Sequence, residues 1–95
     1  MRSNLVSIRC KIERGAFSGE RVFSIKLVNG EEYRSLASVS YCQDEKGKPL
    51  AKNEPKGKIT GFVKAIRVKK ERANMVVEVP DGQLIMVSKE AYGKI

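Results

Sequence analysis

The chain has 95 residues, with 19 Lys and Arg against 11 Asp and Glu and a formal charge of +8. That length makes one small domain, which buries roughly 60–65% of the surface its unfolded form exposes and has little room for a deep catalytic cleft. With no histidine and two cysteines, it lacks the Ser-His-Asp and Cys-His nucleophile systems and the roughly four close-set soft ligands of a structural zinc site.

No run of about 18 apolar residues is present. The first 15 residues have neither the apolar core nor the cleavage pattern of a secretory signal. The expectation is a cytoplasmic protein with no membrane role, no metal and no cofactor.

In chain order, Val6, Ile8, Cys10 and Ile12 alternate with Ser7, Arg9, Lys11 and Glu13, the period-2 pattern of a half-buried strand. Cys10 reads as a small buried hydrophobe, and a Cys10–Cys42 disulfide is disfavoured in a reducing compartment. Next comes the loop "GAFSG", whose Phe17 is either a plug closing one end of the fold or an exposed ring that can stack on a base. "RVFSIKLV" follows as a strand with Phe23, Ile25 and Leu27 inward. Asn29–Gly30 marks a tight hairpin, and "EEYRSL" returns as a third strand. Residues 43–57, with two prolines and two glycines, read as a long loop.

The second half follows the same plan: "ITGFVKAIRVK" as a strand, "KERAN" as a connection, then "MVVEV", "PDG" and "QLIMVS". Laying Asn29–Gly30 over Asp81–Gly82 sets Phe23, Ile25 and Leu27 over Met75, Val77 and Val79. Shortening the second connection sets Cys10 and Ile12 over Ile66 and Val68. This agreement suggests two β-β-β pseudo-repeats, 5–41 and 58–92, although ordinary strand alternation produces part of it. Three strands alone are barely self-sufficient. The expected fold is therefore all-β, a single domain over 1–95, in a small SH3-like or related barrel of about six strands that manages its own edges.

Residues 46–72 carry ten Lys and Arg against two Asp and Glu, whereas the segments on either side are close to neutral. With Ile66 and Val68 taken as core, Arg67 and Lys69 point to solvent. Lys64 then either snorkels at a rim or is re-aimed by a bulge at Gly61. Arg9 and Lys11 of the first strand would extend the basic surface. The candidate nucleic-acid site is Lys56, Lys58, Lys64, Arg67, Lys69, Lys70 and Arg72, with Lys11 and Phe17. Lysines on exposed strands also solubilise and block edge pairing, which is the plainer reading of the same residues.

The stretch "KIERGAFSGERVFSI", residues 11–25, resembles the KOW motif of ribosomal and transcription-elongation proteins. Gly15, Phe17 and Gly19 stand at the motif's turn positions, whereas Ala16 stands where the family usually has proline, and "KKERAN" has no such turn. The resemblance implies an SH3-like barrel and binding to RNA or a ribosome-associated partner.

These readings converge on a non-catalytic module that binds nucleic acid or a nucleoprotein with low specificity, RNA before DNA. The alternative is a protein-interaction module, a homodimer or a receptor for an acidic protein. Val22, Val63 and Val76, on the sides opposite the expected core faces, motivate that second reading.

Overall fold

A computed structural model describes residues 4–50 and 57–93. The alternating stretches form six main strands: β1 (Leu5–Arg14), β2 (Glu20–Lys26), β3 (Glu32–Ser38), β5 (Ile59–Lys70), β6 (Asn74–Glu78) and β7 (Leu84–Ser88). Two short strands, β4 (Cys42–Asp44) and β8 (Tyr92–Gly93), each follow a single turn of 3₁₀ helix, Val39–Tyr41 and Lys89–Ala91. The fold is all-β, and the described residues contain no α-helix. The main strands lie in the order β3-β2-β1-β5-β6-β7, and this antiparallel sheet curls into a half-barrel around one core.

The order is a palindrome about the central β1–β5 pair. Each half runs long strand, two shorter strands, 3₁₀ turn, short strand, and each lends its last strand to the other: β4 pairs with β5, and β8 with β1. The two hairpin turns share one geometry. Gly30 and Gly82 take φ of +89° and +90°, values that glycine alone adopts cheaply. In both turns the residue after glycine donates its N–H to the preceding Asx side chain, Glu31 to Asn29 and Gln83 to Asp81, each at 2.9 Å.

Ile8, Ile12, Phe23, Ile25, Val63, Val77, Val79 and Val87 are fully buried. Each such side chain contributes roughly 1.5–3 kcal/mol over leaving it in water. The curled sheet is drawn together opposite β1–β5. There Tyr33 and Ser35 of β3 donate their hydroxyls to the Asp81 carboxylate in the β6–β7 turn, Ser35 at 2.5 Å. The Val28 N–H also reaches the Met86 carbonyl at 3.4 Å. Desolvation alone would push the Asp81 carboxyl up. The bonds from Ser35, Tyr33 and the backbone outweigh it and hold Asp81 below its ordinary value, while desolvation and the bond to Asp81 raise the Tyr33 phenol.

The structure corrects the expected frame of β5. Ile66 and Val68 are not core: they are 48% and 55% exposed, and Val63 and Ala65 are buried in their place. A one-residue shift of frame exchanges the two faces of a strand, and β5 has apolar residues on both. Pairing decides the matter, because β1 sets Ile8 beside Val63 and Cys10 beside Gly61. A β-carbon on Gly61 would lie 2.3 Å from the Gln43 carbonyl and 2.8 Å from Ile12, so position 61 faces the crowded interior. Cys42 pairs with Val63, and Tyr92 with Ile8, so the equivalent of Ile8 is Val63, one residue out from the alignment that laid Ile66 over Cys10. No bulge lies at Gly61. The irregularity is between Arg67 and Lys69, which pair with Val77 and Val76 and leave Val68 as an extra residue.

Candidate nucleic-acid interface

Directly paired residues of antiparallel strands share a face. On the face opposite the core, Arg34, Ser24, Lys11 and Thr60 form one row across β3, β2, β1 and β5. Lys11 Nζ donates to Thr60 Oγ1 at 2.8 Å. One step along the strands, Arg9 lies beside Phe62, its guanidinium carbon 6.0 Å from the ring centroid, at the outer limit of a cation–π contact. At the end of the face Glu13 is shared by Arg34 at 3.3 Å and Lys58 at 4.0 Å. Lys64 lies beside Ser7, whose hydroxyl donates to Gln43 Oε1 at 3.0 Å.

The exchange of short strands opens a notch in this face. β2 pairs with β1 over Lys11–Arg14 and β8 over Ser7 and Ile8, so Arg9 and Cys10 have no strand partner on that edge among the described residues. Arg9, Lys11 and Lys26 line the opening with Ser24, Thr60 and Glu32. Ser24 is 4% exposed, and its hydroxyl has no hydrogen-bond partner among the described residues. The notch thus gathers three cations and one carboxylate above a buried, unsatisfied hydroxyl. A twin lies on β5, between β4 at Gly61–Val63 and β6 beyond Ile66. Its lining includes Leu5, Tyr41, Lys64, Ile66, Glu78 and Pro80, one cation and one carboxylate among apolar side chains.

Of the residues read from sequence, Lys11, Lys58 and Lys64 share the basic face. Lys69, beyond the bulge, lies on the same side of the sheet but apart from them, beside Val76 and 3.8 Å from Glu71. Arg67 does not point freely to solvent: it is half-buried and lines a separate small cavity with Lys70, Met75 and Lys89. The bulge is the cause, since it puts Arg67 and Lys69 on opposite faces. Arg72 is exposed in the β5–β6 connection, and Lys56 lies outside the described residues.

Phe17 is not a plug, because 73% of it is exposed. Its loop is nonetheless held firmly. Gly15 N donates to Glu20 O at 3.1 Å and Glu20 N to Phe17 O at 3.0 Å, and Ala16 N reaches Glu20 Oε1 at 3.1 Å. A β-carbon at Gly15 would lie 2.7 Å from Glu20 O. From below, Arg21 donates through Nη1 to Ser18 O at 2.9 Å and Glu20 O at 2.8 Å.

Sequence reasoning missed this buried arginine, which occupies an inward position on β2 between Gly19 and Phe23. It also missed Lys26, Arg34 and Phe62 as members of the face. The outward alternation of β2 and β3 would have found the first two, but Glu13, Glu31 and Glu32 cancel them in a count by segment. Both cysteines are free and buried. Burial, with a smaller effect from Cys42, pushes the Cys10 thiol up to about 12, and burial pushes Cys42 to about 11, so neither offers a thiolate near neutral pH.

Comparison with protein-family models, curated proteins and solved structures finds no match. The functional reading therefore rests on the residues themselves.

Proposed function

We propose that the protein is a non-catalytic module that binds single-stranded nucleic acid, RNA before DNA, with little sequence specificity. The observation that carries this reading is the cationic notch with the row beside it. Arg9, Lys11 and Lys26 line the notch together with Thr60, and Arg34, Lys58 and Lys64 extend the positive surface along the strands. A phosphate at the notch takes charge-assisted bonds from the cations. Neighbouring phosphates follow the flanking cations, with counterion release driving the association.

Phe17, held out from the adjoining β1–β2 loop, offers an unpaired base a ring to stack on. Contacts of this kind position a backbone and read little sequence. An exposed ring suits unstacked bases, which RNA loops and single strands provide.

Fluorescence anisotropy with a labelled single-stranded RNA, titrated at several salt concentrations, tests the proposal. The logarithm of the binding constant should fall with slope of about −0.7 per phosphate engaged. Arg9→Glu with Lys11→Glu should flatten that slope and remove most of the affinity. Salt-independent binding, or binding indifferent to the double variant, contradicts the reading.

A further inference from the structure

The twin of the basic face is apolar. Across β1, β5, β6 and β7, Leu5, Ile66, Glu78 and Leu84 form one row, and Lys69, Val76 and Met86 form the next. Leu5, Ile66, Val68, Leu84 and Met86 are all exposed, Leu84 to 58%, and Val76 is half-buried. Single exposed apolar residues are ordinary, but a contiguous patch on four neighbouring strands marks an interaction surface. From these observations, which do not depend on nucleic-acid binding, we infer that this face is the interface of a homodimer, in which two copies of the chain stack sheet against sheet.

Charge selects the second copy as occupant. The charges in and beside the two rows balance: Lys69, 3.8 Å from Glu71, stands one strand and one row from Glu78, and Lys64 lines the β5 notch with Glu78. A two-fold axis through the patch sets each copy's Glu78 against its partner copy's Lys69, the self-complementary arrangement of an isologous contact. An acidic partner or a nucleic acid would meet as many carboxylates here as ammonium groups.

Val28 takes the Met86 carbonyl on the β7 edge at 3.4 Å, and the exposed apolar side chains stand on the face of the sheet. The contact is therefore face to face, at the roughly 10 Å spacing of stacked sheets. A stable interface needs roughly 800 Å² from each partner. The six apolar side chains supply its centre, and the polar rim must supply the rest, which points to a dimer of micromolar rather than nanomolar strength.

Sedimentation velocity from micromolar to about millimolar protein, with thermal melts as a control for folding, decides the matter. The expected result is a monomer–dimer equilibrium in the micromolar range. Ile66→Glu and Leu84→Glu, both at exposed positions, should each weaken it by about 30-fold or more while leaving the melt unchanged. Glu78→Lys should also weaken it, and adding Lys69→Glu to the same chain should restore it. A wild-type monomer at every concentration overturns the inference, as does a dimer that survives Ile66→Glu with Leu84→Glu. Association with a different protein in place of self-association overturns it equally.

Discussion

The two halves of this molecule share a plan and differ in what they show to solvent. By the shared turns and short-strand pairings, Lys11, Ser24, Glu32 and Arg34 of the first half stand where the second half has Ile66, Val76, Leu84 and Met86. The core positions stay apolar in both: Ile8 answers to Val63, Ile25 to Val77, Phe23 to Met75. Interior packing constrains one face of each strand, whereas the other face is free to diverge. One half has used that freedom for cations and a notch with an unsatisfied hydroxyl, the other for an apolar surface.

The comparison can be broken first at the core. Ile8→Ala should cost about 2–5 kcal/mol, whereas Ile66→Ala should stay within about 0.5 kcal/mol in the monomer. Equal losses in urea unfolding would mean that the frame of β5 is wrong. Next comes Gly61, with the Gln43 carbonyl 2.3 Å from any added β-carbon. Gly61→Ala should lower stability by about 1–3 kcal/mol. The same change at Gly19, where nothing lies within 4 Å of the added atom, should cost far less in the same unfolding experiment.

Phe17→Ala sharpens the functional side. Its effect on the thermal melt should be within about 0.5 kcal/mol, while RNA affinity should drop by the roughly 1–3 kcal/mol of one stacked base. A loss of stability without a loss of affinity would return Phe17 to a structural role.

The smallest effect belongs to the turns. Asn29 and Asp81 form the same backbone bond, so Asp81→Asn keeps the turn and removes only the charge that Tyr33 and Ser35 approach. Because the folded-state pKa of Asp81 lies below its ordinary value of 3.8, its contribution is complete above that pH and fades as pH falls through the folded value. Melting curves of wild type and variant should differ slightly at neutral pH and converge in acid. A gap that persists below the titration range would assign the effect to packing instead.

Much of the fold was legible because alternation is local. The six main strands follow from apolar period and turn residues, and both hairpins from Asn-Gly and Asp-Gly. What was not legible depends on partners distant in sequence. β5 has apolar residues on both faces, so only its pairing with β1 and the bulge at Val68 fix which face is inward. β4 and β8 span three and two residues, too few for any periodicity to register. The notch exists because β2 and β8 share one edge of β1, a relation no single segment carries. Lys58 and Lys64 were singled out by the charge of their segment and Lys11, with Arg9, by its place on the first strand. The pairing of Arg9 with Phe62 and the place of Ser24 in the notch needed the register.

Titration of isotope-labelled protein with a short single-stranded RNA, followed by two-dimensional NMR of the backbone amides, tests the division between the halves most directly. The perturbed amides should be those of Arg9–Lys11, Ser24–Lys26, Arg34 and Phe62, with the Phe17 loop, and they should revert as salt is raised. Leu84, Met86 and Val76 should stay in place. Shifts centred on β6 and β7, or spread evenly over both halves, would contradict the assignment of nucleic-acid binding to the first half's face.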